Sequence, residues 1–359
     1  MKDAYYMDSC APLSSIIYTA LDRRASDIHI VRGVPVRFRI DGKLVNMDEH
    51  RLTPEECENY ARVISPNYMD VASIGEQDLA VSLGNQVRCR VNLFRQQGCI
   101  SAAIRILNDH IPTLAEIGLP TECARFTTYN QGIVLVTGET GSGKSTTIAS
   151  LLDIINHRDT KHIITLEDPI EYIFDSDKCI VNQREVGTDT RSFSDGLRAI
   201  LREDPDVILV GEMRELETIE TALLAAETGH LVFASLHTNS AADTIDRIVN
   251  VFPANQQPQI RLSLSMTLQA VLCQELLPHR SGHGRVLATE LMFVTPAVRN
   301  LIREGKTPQI SNAIATSGAQ GSHLMDNSLL ELYGKGKISA ETVLAVAHDL
   351  EAVRRSIRI

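Results

Sequence analysis

The 359-residue chain has no apolar run approaching the ~20 residues of a membrane-spanning helix, so a membrane-embedded protein is not expected. It has no CxxC pair. Its seven cysteines, Cys10, Cys57, Cys89, Cys99, Cys123, Cys179 and Cys273, are dispersed, which fits buried thiols in a reducing cytosol rather than disulfides or a zinc site. Positive charge is not in excess. Lys and Arg number 35 against 45 Asp and Glu, a formal net charge of −10 that argues against a general nucleic-acid-binding surface. The first residues carry an early acid, Asp3, and no apolar core, so no secretory signal is expected. Repeats and low-complexity tracts are absent. What is present is 43% apolar and 22% charged residues, a globular composition at a length suited to about two or three domains.

Residues 1–109 read as a mixed α/β unit. A helix is expected over 13–24, followed by an alternating strand over 27–31 and a hairpin over 36–45 around Asp41-Gly42. Thr53 is placed to cap a helix over 54–64, and strands over 86–94 and 100–107 complete the unit. Residues 110–120 have linker character, with turn formers and Pro112 as a helix breaker. From residue 121 to 359 the pattern changes to short apolar strands, at 133–137, 162–166, 207–210 and 231–236, alternating with helices. Such runs predict a parallel sheet covered on both faces. Beyond Pro258 a mostly helical tail is expected, with Ile260, Leu264, Leu268, Val271 and Leu272 on one helical face.

The most informative stretch is Gly138-Glu139-Thr140-Gly141-Ser142-Gly143-Lys144-Ser145, which matches GxxxxGK[ST] between a strand and a helix. Its glycines let successive N–H groups and the helix N-terminus face phosphate oxygens. Gly138, Thr140, Gly141, Ser142, Gly143 and Thr146 would cradle a nucleoside triphosphate. Lys144 would reach its β- and γ-phosphates and the Ser145 hydroxyl would sit on Mg²⁺.

In an open parallel sheet, ligands lie beyond the carboxyl ends of the strands. Three other strands end there in Glu167-Asp168, Gly211-Glu212 and His237, beside the phosphates. Glu212 is placed to hold Mg²⁺ or polarise water, in a Gly-Glu variant of the usual Asp. Glu167 and Asp168 could share the metal's water shell, although Asp168-Pro169 is also a good helix start. At ~3.3 Å per residue, His230 and His237 are roughly 20 Å apart on one strand, so His237 alone suits a phosphate sensor. In the first unit Arg88, Arg90 and Asn92 alternate onto one strand face, and Arg105 follows on the next strand. These are either solvated arginines or trans-acting arginine fingers. Arg198 and Arg202, one helical turn apart, suit either interface ion pairs or a phosphate-facing role.

Together these residues resemble the type II/type IV secretion ATPase superfamily and, within it, the twitching-motility retraction ATPases (the PilT group). The similar segments are GETGSGKSTT, ITLEDPIEY, LREDPDVILVGEMRE and ETGHLVFASLHTNSAADTIDRIVNVFP, with RASDIHI and RIDGKL upstream. The resemblance implies a PAS-like α+β N-terminal domain followed by a RecA-like P-loop NTPase domain with helical C-terminal tail. It implies a cytoplasmic homohexamer at the inner-membrane face, acting on the pilus platform protein and hydrolysing ATP with Mg²⁺. By likeness Glu212 activates water, Glu167 assists at the metal and His237 senses the γ-phosphate. Arg90 and Arg105 close the site, and Arg88 matches less securely. Residues 297–304 are similar to the retraction group's AIRNLIRE segment, with Val298 in place of Ile. The tetracysteine module usual in extension and type II secretion ATPases is missing. Those ATPases and the conjugation or DNA-transfer ATPases are the alternative members. One departure is Glu139, where the group usually has Pro, which sets an extra negative charge near the phosphates. Beyond Lys306 the likeness fades.

Overall fold

The computed structural model describes residues 12–40, 42–65, 67–83, 87–107 and 110–357. The chain forms two compact units, Met1–His110 and Ile111–Ile359.

In the first unit, α1 (Leu13–Asp22) starts directly after Pro12 and buries Ile16, Ile17 and Ala20. Strands β1 (Asp27–Ile30), β2 (Arg37–Ile40) and β3 (Lys43–Asn46) follow. Gly42 stands between β2 and β3 at φ 79°, and Asp41 of the expected turn lies outside the described residues. Helix α2 (Pro54–Ile64) opens on a complete capping box between Thr53 and Glu56, with Pro54 at its first turn. A short α3 (Val71–Ile74) leads to β4 (Glu76–Leu83), β5 (Val87–Gln96) and β6 (Cys99–Ile106). Gln86, where β5 was expected to begin, is outside the described residues, as are Cys10, Asn108 and Asp109.

Among the described residues the sheet order is β3-β2-β1-β6-β5-β4, with every pairing antiparallel. One face is dry: Ile28, Phe38, Cys89, Val91, Leu93 and Ile104 pack with α1 and α2 residues in a single core. The strand β4 was not anticipated, because its Glu76-Gln77-Asp78 start is polar and it occupies a sheet edge.

The second unit begins with Ile111, Leu114 and Ile117 packed against its core. It contains β7 (Gly132–Thr137), α4 (Lys144–Arg158), β8 (His162–Glu167), β9 (Ile180–Glu185) and α5 (Phe193–Ile200). Next come β10 (Val207–Val210), α6 (Leu216–Glu227), β11 (Leu231–Leu236), α7 (Ala241–Asn250) and α8 (Gln257–Thr267). A hairpin, β12 (Leu268–Pro278) and β13 (Arg285–Phe293), precedes α9 (Pro296–Glu304), α10 (Ile310–Thr316), α11 (Met325–Gly334), α12 (Ala340–Val346) and α13 (Leu350–Ile357). The sheet order among the described residues is β13-β12-β7-β11-β10-β8-β9, parallel throughout except for β13. Consecutive residues of β7 enter opposite cores. Ile133 and Leu135 join one cluster, Val134 and Val136 the other, so both faces are covered.

Two expectations need correction. A helix does begin at the expected place, α8 with Pro258 in its first turn and Ile260 and Leu264 buried, but the helical face does not run on to Leu272. Helix α8 ends at Thr267, and Leu268, Val271 and Leu272 belong to β12. Neighbouring Val271 and Leu272 are both fully buried, in the cores on opposite sides of the sheet, which a helix with one packed face could not achieve. A run of apolar residues admits both periods, and burial on two sides decides. The β12–β13 hairpin interrupts the tail, which is helical in α8 and again from α9 onward. Secondly, no helix starts at Asp168-Pro169, which forms a cis peptide in an irregular segment.

Candidate functional site

Four neighbouring parallel strands set the site. Thr137 pairs with Leu236, Ala234 with Val210, and Val210 with Leu166, so β7, β11, β10 and β8 end side by side. Past those ends come the phosphate loop, His237 and Glu212, and Glu167 is the last residue of β8.

Gly138 is at φ 142°, and a Cβ there would meet the Gln274 backbone oxygen and the Ser142 hydroxyl, so the loop turns only with glycine. Gly143 occupies the left-handed cap position of α4 at φ 92°. Gly141 (φ 82°), Thr140 and Ser145 are exposed, while Ser142 and Lys144 are buried. The Lys144 ammonium donates to the carbonyl oxygens of Gly138 (2.7 Å) and Glu139 (2.9 Å). Burial pushes its pKa down, opposed by the nearby Glu212 and Glu171 carboxylates. The Ser142 hydroxyl is buried with no partner among the described residues. A glycine-turned loop opening a helix, a lysine folded back on the loop's carbonyls and an orphaned hydroxyl suit an anionic phosphate chain. The Thr146 hydroxyl lies 2.9 Å from the Tyr172 hydroxyl.

Glu167 is only 9% exposed, and its carboxylate accepts from Thr165 Oγ1 (2.6 Å) and Gln183 Nε2 (3.2 Å). Burial raises its pKa to about 7 against these hydrogen bonds. It shares with Ser145, Tyr172, Gly211 and Ser235 a pocket of about 30 Å³. Neither Thr165 nor Gln183 was anticipated. Thr165 lies two residues before Glu167 on the same strand face, a signal that was available. Gln183 sits on β9, whose alternation is weak and polar.

Glu212 is fixed by its surroundings. The Gly211 amide donates to Leu166 O (2.7 Å), Ser235 Oγ donates to Gly211 O (2.6 Å), and the Met213 amide donates to Ser235 O (3.1 Å). The Glu212 carboxylate then pairs with His237 Nε2 at 2.9 Å and with Arg214 Nε. Arg214 was not anticipated. His230, at the other end of β11, is 2.9 Å from Ala225 O and closes the turn from α6.

Beside the loop opens a cleft of about 510 Å³, walled by Ile117, Leu276 and Leu287 and bordered by Ser142, Gly143 and Thr146. Its volume is in the range of small-molecule sites. No sequence signal marked it, because its walls come from distant parts of the chain. Glu139 is exposed, and its charge adds to burial in raising the pKa of Glu275.

The other candidates fall elsewhere. Arg90 and Arg105 are directly opposite on β5 and β6 of the first unit, both exposed. Arg105 Nε pairs with Asp27 Oδ1 at 3.0 Å, and Arg39 approaches the same carboxylate at 3.9 Å. Arg88 shares that face. Arg198 pairs with Glu217 on the surface at 3.2 Å, and Arg202 is exposed. In the segment 297–304, Arg299 donates to Ser265 O (2.7 Å) and Met266 O (2.9 Å), capping the last turn of α8.

The family described as type II/IV secretion system protein matches residues 9–344. The type IV pilus retractation ATPase PilT of Pseudomonas aeruginosa is 45% identical over 334 residues, 92% of this chain and 96% of PilT. A twitching motility protein of Neisseria gonorrhoeae is 43% identical, with 89% and 85% of the two chains covered. A crystal structure described as the pilus retraction motor PilT with bound ADP superposes with a TM-score of 0.90 at 48% identity, covering 96% of this chain and 100% of that one. With a family match that leaves out only the two ends, and relatives alike along about nine-tenths of its length, the chain is a member of the type II/IV secretion system protein family.

Proposed function

We propose that this protein is an ATP-hydrolysing motor for type IV pilus retraction, working as a homohexamer on the inner-membrane platform protein at the cytoplasmic face of that membrane. Its similarity to PilT and to a twitching motility protein supports the retraction reading. The observation that carries the chemistry is the gathering of Lys144, His237, Glu212 and Glu167 at adjacent ends of one parallel sheet. In this reading residues 1–109 are the PAS-like domain, 110–120 a linker, and 121–359 the RecA-like motor.

The β- and γ-phosphates of ATP take the place of the Gly138 and Glu139 carbonyls at Lys144. Backbone amides over Gly138, Thr140, Gly141, Ser142, Gly143 and Thr146 hold the phosphate chain, and the base lies in the neighbouring cleft against Ile117, Leu276 and Leu287. Ser145 and Glu167 are two hard oxygen donors on one small pocket, which fits Mg²⁺ held partly through water. When bound, that ion neutralises phosphate charge. Glu212, released from Arg214, orients the attacking water and accepts its proton. His237, bonded to Glu212 through Nε2, registers the presence of the γ-phosphate. Arg90 and Arg105 supply compensating charge from a neighbouring copy.

Deleting the gene tests the direction of work. The expected outcome is hyperpiliated cells that have lost twitching. Cells without pili would refute retraction and assign extension instead.

A further inference from the structure

The helices after α10 have no role in the scheme above, yet they reach the nucleotide cleft. Helices α11, α12 and α13 pack through Met325, Leu329, Val343 and Val353 onto Leu277 and Ala288 of the β12–β13 hairpin, forming a core of their own. The turn leaving α11 is tightly specified. Gly336 is left-handed at φ 70°, its amide donates to Tyr333 O (2.8 Å), and the Lys337 amide donates to Leu332 O (2.9 Å). Arg280 N donates to Lys337 O at 2.7 Å, and the next residue, Ile338, is fully buried. The backbone of Lys337 is therefore held at a fixed place while its side chain stays exposed.

That place is the border of the 510 Å³ cleft, which Lys337 shares with Ser142 and Gly143 of the phosphate loop and with Arg285. Arg285 is already committed, donating to Gly141 O at 3.3 Å. The neighbouring Lys335 is committed too, to Glu331. Lys337 forms no salt bridge among the described residues. A lysine on a fixed backbone beside a phosphate loop, its ammonium in no salt bridge and sharing only the longer-range field of Glu331 with Lys335, stands where an anion is expected.

We propose that Lys337 contacts the phosphate nearest the base of the bound nucleotide, so that the C-terminal helices set nucleotide affinity. This rests on reading the phosphate loop as the nucleotide site. The test is ADP binding to the full-length protein by calorimetry, in Lys337→Ala, Lys337→Arg and Lys144→Ala, each at low and high salt. Lys337→Ala should bind ADP about tenfold more weakly at low salt, with the gap narrowing as salt screens the contact. Lys337→Arg should restore most of the affinity. ADP affinity within twofold of wild type in Lys337→Ala would overturn the proposal, and so would a loss that is equal at all salt concentrations. Lys144→Ala should abolish binding. Full affinity there would instead refute the phosphate-loop reading, a failure distinct from that of Lys337.

Discussion

The two sheets place their chemistry differently. The antiparallel sheet of the first unit has one dry face and one charged face, where Arg90, Arg105, Asp27 and Arg39 stand in a row across β5, β6, β1 and β2. The central strands of the second unit's parallel sheet are dry on both faces, so the candidate catalytic groups gather at and just beyond the strand ends. A face offers breadth and charge but weak fixation, since Arg105 is 62% exposed. Strand ends offer fixation, since Glu167 is nearly buried and the Gly211-Glu212 turn is bonded to both flanking strands. In the proposed motor the strand ends act on the water and metal, and the face supplies charge.

Turnover gives the largest expected effect. Glu212→Gln and Arg105→Ala should each lose about a thousandfold in ATPase rate while the fold is kept. If the arginine serves a neighbour's site, mixing the two variants should recover part of the rate, because some sites then pair an intact Glu212 with an intact Arg105. No recovery on mixing would confine the face to its own copy, and an Arg105→Ala rate within tenfold of wild type would remove the face from catalysis.

Stability should separate the same two regions. Leu135→Ala in β7, fully buried, is expected to cost about 3–5 kcal/mol in denaturant unfolding. Arg90→Ala should leave stability within about 0.5 kcal/mol or raise it slightly, because Arg90 and Arg105 are like charges directly opposite each other. A large loss in Arg90→Ala would mean that the charged face is structural.

How much was legible follows the same division. The strands β7, β8, β10 and β11 are continuous apolar runs, and their ends could be read for function directly. The contact of Glu212 with His237 could not be, because it depends on β10 lying next to β11, a matter of strand order. The strands β4 and β9 escaped notice as polar edges, and Gln183 escaped with β9. The strand β12 was misread as helix because period alone cannot reveal burial on two sides. The 510 Å³ cleft joins Ile117, Leu276 and Lys337, residues brought together by packing alone.

The smallest expected effect concerns how each unit neutralises a carboxylate. Asp27 is met by arginines on the open face. Glu290 on β13 is 3% exposed and is met by backbone amides at two helix starts, Ala241 of α7 (2.8 Å) and Met325 of α11 (3.4 Å). Burial outweighs those amides and raises the Glu290 pKa. The folded protein therefore keeps a proton that the unfolded chain has released. This contribution to stability is present below the ordinary carboxylate range and is lost as pH rises through the raised value. Glu290→Gln should flatten that slope, read as melting temperature against pH, and salt should not alter the difference. Asp27→Asn should cost about 1 kcal/mol or less, and that cost should shrink with salt. Identical pH slopes in wild type and Glu290→Gln would mean that the two amides already hold the buried carboxylate as well as water does.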